Sequence, residues 1–148
     1  MQNEADMKQQ ILSLFETGSA TLALCKEGAL VYSRFGRGIA PALELLDEHA
    51  ALLSGADVYD LIVGKAAASV FILGGAKSVF GFTMSDSAAA LLKKYGVPCA
   101  FQTRTPEIIN RRGTGLCPFE QAIVSIDSPE DCLPVIRQTL ARLREKTE

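Results

Sequence analysis

The sequence predicts an α/β fold, a three-layer α/β/α sandwich around a mixed sheet. Three observations carry that prediction. From Tyr59 to Thr103 short apolar runs alternate with helical patterns, the arrangement of parallel strands joined by crossover helices. Upstream, two apolar runs flank Lys26-Glu27-Gly28, a hairpin whose antiparallel pairing makes the sheet mixed. The 148 residues, 48% hydrophobic and 22% charged, suffice for one domain with a real core.

Each element follows in order. Met7, Ile11, Leu14 and Phe15 form a helical stripe over Glu4 to Thr17, ended by Gly18. Thr21 to Cys25 and Ala29 to Ser33 are the hairpin strands, and Phe35 to Ile39 is a loop. Pro41 suits the first turn of a helix expected to run to about Leu53, where Ser54-Gly55 stops it. Tyr59 to Val63 reads as a short buried strand leading through Gly64-Lys65 into a helix over Ala66 to Leu73, ended by Gly74-Gly75. Ser78 to Met84 is the next strand. Ser85 or Asp86 caps a helix with Lys93 and Lys94 in its last turn and Gly96 beyond, favourable charges and residues at both ends. Val97 to Thr103 is a strand with Pro98 at its start, where proline is tolerated. Arg104 to Pro118 is a loop, Phe119 to Ser125 at most a helical turn, and Pro129 to Arg144 a final helix with Pro134 as a flaw. The chain reads as a single domain, 1–148, with an N-terminal helix in 1–18, a core in 19–126 and a C-terminal helix in 127–148.

Composition excludes several classes. With 15 basic against 17 acidic residues the net charge is −2, so neither nucleic acid nor a membrane surface is expected as a partner. No apolar run approaches the roughly 20 residues that span a bilayer, and the acidic, polar start is unlike a signal peptide; a cytoplasmic location is expected. Cys25, Cys99, Cys117 and Cys132 lie far apart with no Cys-x-x-Cys, which favours reduced thiols. His49 is the single histidine. A two-histidine zinc site is therefore excluded, a Ser-His-Asp triad could form only around His49, and neither metal nor cofactor is expected.

Three segments hold residues that packing alone does not explain. In Val63-Gly64-Lys65-Ala66-Ala67-Ala68 a strand passes through glycine into a helix opening with lysine. Unpaired N–H groups and a neighbouring ammonium suit an anion, although a Walker loop is absent. In Asn110-Arg111-Arg112-Gly113-Thr114-Gly115-Leu116-Cys117-Pro118-Phe119-Glu120, glycines permit close backbone approach and paired guanidinium groups suit an anion. Cys117 near a helix start is a candidate nucleophile, with Glu120 as a proton relay or a helix cap. In Ser33-Arg34-Phe35-Gly36-Arg37-Gly38 the simpler reading is a connector. His49, in an acidic run at a helix end, is expected to cap the helix or pair on the surface.

The run LIVGKAAASVFILGG, followed by INRRGTGLCPFEQAI, resembles an uncharacterised prokaryotic family in the cytidine-deaminase-like superfamily, over about Ser19 to Val124. The resemblance implies a three-layer α/β/α fold with a central mixed sheet. Its recurrent positions are matched by Gly64, Lys65, Asn110, Arg111, Gly113, Thr114, Gly115, Cys117 and Glu120. Zinc deaminases carry H-x-E or C-x-E at one helix start and P-C-x-x-C at the next. Here the second opening reads Val63-Gly64-Lys65-Ala66-Ala67, so zinc-dependent deamination is not expected.

The leading functional expectation is a metal-free domain that binds a nucleotide-like or other anionic small molecule. Gly64 and Lys65, with Asn110, Arg111, Arg112, Gly113, Thr114 and Gly115, would wall one pocket at the sheet edge. One alternative is a thiol enzyme using Cys117 as nucleophile with Asp60, Lys65 or Glu120 as proton-transfer partner. Another is a catalytically silent interaction module, with a homodimer as its assembly.

Overall fold

In the computed structural model, which describes residues 4–147, the ends of the 1–148 domain reading lie outside the described residues. Met7, Ile11 and Phe15 recur on one face of α1 (Glu4–Glu16) and are all buried. The hairpin pairs β1 (Leu22–Lys26) with β2 (Ala29–Arg34). Its two turn residues, Glu27 and Gly28, both take positive φ (51° and 77°), the conformation whose twist matches the flanking strands.

The helix expected from Pro41 to Leu53 is instead two, α2 (Ala40–Glu48) and α3 (Ala50–Leu53), broken at His49 (φ −133°, ψ 36°). The break redirects the chain so that Leu53 is fully buried against Gly74, where no side chain would fit. Next come β3 (Asp57–Val63), α4 (Lys65–Leu73), β4 (Ser78–Ser85), α5 (Asp86–Lys94) and β5 (Cys99–Thr105). Ser85 caps α5 through its hydroxyl, which accepts from the Ala88 N–H at 3.1 Å. β5 starts two residues later than expected and runs to Thr105; the Pro98 carbonyl still accepts from the Val79 N–H.

The chain closes with α6 (Pro118–Ala122) and α7 (Pro129–Thr147). Pro134 lies inside α7 without ending it. Its missing N–H would serve the carbonyl of Glu130, a solvent-exposed residue that water can satisfy.

The five strands are ordered β2-β1-β3-β4-β5. β1 is antiparallel to both neighbours, and β3, β4 and β5 are parallel, which makes the sheet mixed. α1 covers one face, packing Met7, Ile11 and Phe15 on Tyr59, Phe80 and Phe82. The other face carries the main core, shared by α2, α4, α5 and α7. Both crossovers, β3-α4-β4 and β4-α5-β5, put their helices on that face, as one handedness requires. α4 is central. Ala66 through Phe71 are buried, which explains its alanine-rich, mostly apolar sequence; the buried Ser69 hydroxyl donates to the Lys65 carbonyl at 2.8 Å. Because the three strands are parallel, α4 and α5 open at the same end of the sheet. The chain after β5 returns to that end, where α6 meets α4.

Candidate functional site

The opening of α4 follows β3 through a single residue, Gly64, in extended conformation. Its first N–H groups lack intrahelical partners, as at any helix start. Glu120 supplies them: its carboxylate accepts from the Lys65 N–H at 2.6 Å and the Ala66 N–H at 2.9 Å, from 55 and 54 residues away. Gly64 makes the approach feasible. A Cβ there would lie 2.5 Å from a Glu120 carboxylate oxygen. The anion that this helix start attracts is thus a side chain of the same protein.

Lys65 is committed in the opposite direction. Its ammonium donates to the carbonyl oxygens of Ile123 and Ile126 at 2.9 and 2.5 Å. Ile123 is the C-cap of α6, so the lysine satisfies carbonyls that a helix end leaves open, on the side where a cation is favoured. Each helix therefore caps the other: Glu120 of α6 closes the start of α4, and Lys65 of α4 closes the end of α6. The five residues of α6 would not hold a helix alone in water. Glu120 is 8% exposed. Burial pushes its carboxyl pKa up, against the pull of the two N–H bonds and of Lys65.

The second segment is organised separately. Asn110 pins a tight loop: its side-chain oxygen accepts from the Thr114 N–H at 3.1 Å and its amide donates to the Thr114 hydroxyl at 3.2 Å. The Asn110 N–H bonds the Gly115 carbonyl, the Gly113 N–H bonds the Asn110 carbonyl, and Ile109 bridges Leu116. Gly113 takes a φ of +68°, as the sequence anticipates for a loop glycine. Arg111 and Arg112 stand exposed at the tip, and among the described residues neither joins an ion pair. Cys117 leaves the loop half-buried as the N-cap of α6, its N–H bonded to the Ile108 carbonyl.

Asp60 sits apart from both. It lies mid-strand on β3, between Leu22 of β1 and Gly81 of β4, four residues before Gly64 and so roughly 13 Å along the strand. Desolvation pushes its carboxyl up to about 8, opposed by the N–H groups of Leu61 and Ile62.

The sequence segments thus divide. Gly64, Lys65 and Glu120 meet in direct contact; Asn110, Thr114, Gly113 and Gly115 form their own loop, continuous through Cys117 with Glu120; Asp60 stands alone. Sequence reasoning missed the carbonyls of Ile123 and Ile126, because a backbone acceptor leaves no mark in residue type. In the third segment Arg34 pairs with Glu44 at 2.9 Å, and Gly36 is held by the Thr21 hydroxyl, which suits a connector. Two surface grooves lie elsewhere. One, of about 460 Å³, runs between α5 and β5 past Lys93 and Phe101; the other, of about 380 Å³, runs between α2 and α7. Among the described residues no helix is long and apolar enough to cross a membrane.

Comparison with known proteins gives a family and a similar solved structure. The family described as "Domain of unknown function (DUF1893)" matches residues 10–140. The crystal structure of a DUF1893 family protein (TM1506) from Thermotoga maritima is similar at 25% identity and a TM-score of 0.77, over 95% of this chain and 92% of that one. No curated protein matches.

Proposed function

Because this chain belongs to the DUF1893 family, a domain of unknown function, we propose from its own geometry that it binds a small anionic ligand such as a nucleotide at a site that uses no metal. The observation that carries this reading is the pair Arg111 and Arg112. Two consecutive exposed arginines stand on a loop pinned by Asn110, and among the described residues neither joins an ion pair. An external phosphate or carboxylate would pair with these charges while accepting bidentate hydrogen bonds from a guanidinium. Gly113 and Gly115 leave room there, since a Cβ at either would meet no other atom within 4 Å. The contact between Lys65 and Glu120 supports the site from below, anchoring the end of the loop to the sheet.

Placement among cytidine-deaminase-like folds belongs to the same proposal, supported by the mixed sheet and by helices that open at the carboxyl ends of parallel strands. The zinc of that superfamily does not fit here. The α4 opening offers Gly64, Lys65 and Ala66, without cysteine or histidine, and the nearest carboxylate is engaged by two N–H groups. No deamination step is derived.

Thermal unfolding with pyrophosphate, nucleotides and neutral nucleosides tests the reading. A ligand at about 100 times its Kd adds roughly 2.7 kcal/mol. Stabilisation by anions that is lost in the Arg111→Ala/Arg112→Ala variant is expected. No shift with any anion, or an equal shift in the variant, would overturn it.

The thiol alternative is favoured by one observation, the half-buried position of Cys117 at the start of α6. Cys25 and Cys132 are buried and burial pushes the Cys25 thiol up to about 11; faster alkylation of Cys117 than of Cys25, Cys99 and Cys132 at neutral pH would support this alternative. Glu120 and Lys65, its candidate proton partners, are both engaged elsewhere, which favours binding over catalysis.

A further inference from the structure

We propose a second, independent site: a divalent transition-metal site formed by Glu44, Glu48 and His49 at the end of α2. One donor atom from each residue lies within 4.8 Å of the others. Glu44 and Glu48 share a helix face by their spacing of four. His49 does not belong there in a straight helix, where a residue five positions on lies about 140° around the axis. The break between α2 and α3 falls on His49 itself and brings the imidazole round to the two carboxylates.

Neighbouring residues hold two of the three donors. The Tyr32 ring packs on the imidazole, 5.3 Å between centroids, and Arg34 holds the Glu44 carboxylate at 2.9 Å. A charged outer partner of this kind orients a ligating carboxylate. Both carboxylates also line the 380 Å³ groove between α2 and α7, which admits an ion and a further oxygen ligand from solvent. One nitrogen and two oxygens suit zinc or a neighbouring first-row ion. Three protein ligands leave a coordination position open. Closing the donors onto zinc, to the roughly 3.4 Å edges of its tetrahedron, needs rotamer adjustments of about 1 Å. This site shares no residue with the zinc position of deaminases.

The test uses the full chain stripped of metal. Equilibrium dialysis against zinc is expected to load one equivalent, and cobalt substitution to show visible bands without thiolate charge transfer. Glu48→Gln, which preserves shape, and His49→Ala are each expected to weaken zinc binding by more than roughly 100-fold, the most that loss of an outer partner alone costs. Both variants are compared with wild type by circular dichroism, and folded Glu48→Gln suffices if His49→Ala unfolds. No saturable uptake, a thiolate charge-transfer band, or full uptake by folded Glu48→Gln would overturn the proposal.

Discussion

The opening of α4 and the loop from Asn110 to Gly115 carry the same kind of sequence signal, glycine beside a cation, and use it oppositely. At α4 every such group is turned inward. Gly64 admits a carboxylate, the helix N–H groups hold it, and Lys65 is fastened to carbonyls. At the loop, side-chain hydrogen bonds set only the backbone, and Arg111 and Arg112 face solvent. A motif of anion-binding type is therefore a statement about local electrostatics. Whether the anion is internal or external depends on what the rest of the chain brings to it.

This contrast orders the effects of mutation. Glu120→Ala is expected to cost the most, about 3 kcal/mol in chemical denaturation, since it orphans two buried N–H groups and opens a void beside Gly64. A loss under about 0.5 kcal/mol would mean that water replaces the carboxylate and that α4 is open to outside anions. Lys65→Met, which keeps the apolar stem, is expected to cost about 2 kcal/mol by abandoning the carbonyls of Ile123 and Ile126.

Asp60, apart from both regions on β3, gives the sheet itself a pH signature. Its folded carboxyl, at about 8, lies above the ordinary 3.8. The stability that protonation contributes is complete below the unfolded value, declines as pH rises, and is gone above the folded value. Wild type is expected to lose up to about 1.4 kcal/mol per pH unit between roughly pH 4 and 8, while Asp60→Asn stays nearly level. Parallel curves for the two proteins would place the ionised carboxylate in contact with water.

The loop is expected to respond weakly in stability and strongly in binding. Asn110→Ala removes the acceptor of the Thr114 N–H and should cost about 1 kcal/mol. Arg111→Ala/Arg112→Ala should stay within about 0.5 kcal/mol of wild type without ligand. A larger loss, measured by denaturant unfolding, would show that these arginines are structural and erase the distinction between the two regions.

Much of the fold was legible because local patterns report local physics. The period of Met7, Ile11 and Phe15 announced α1, Lys26-Glu27-Gly28 announced the hairpin, and Ser85-Asp86 announced a cap, which the structure assigns to Ser85. The break at His49 was not legible. It serves Leu53 and Gly74, which meet from different elements, and alanine and leucine around it read as one helix. Pro134, read as a flaw within a continuing helix, indeed leaves α7 unbroken, since the carbonyl it deprives belongs to the exposed Glu130.

By itself, then, the sequence determined the order of elements, the class of the sheet and the residues with unusual chemistry. Those follow from side-chain period, glycine and proline geometry, and charge, all properties of neighbours along the chain. Only the tertiary structure decided that Glu120 completes α4 and that Lys65 completes α6. It likewise decided that Glu44, Glu48 and His49 converge. The open hydrogen bonds of a helix end specify the kind of partner they need and not its address. The partner is whichever group the packing of the sheet, α4 and α7 brings within about 3 Å.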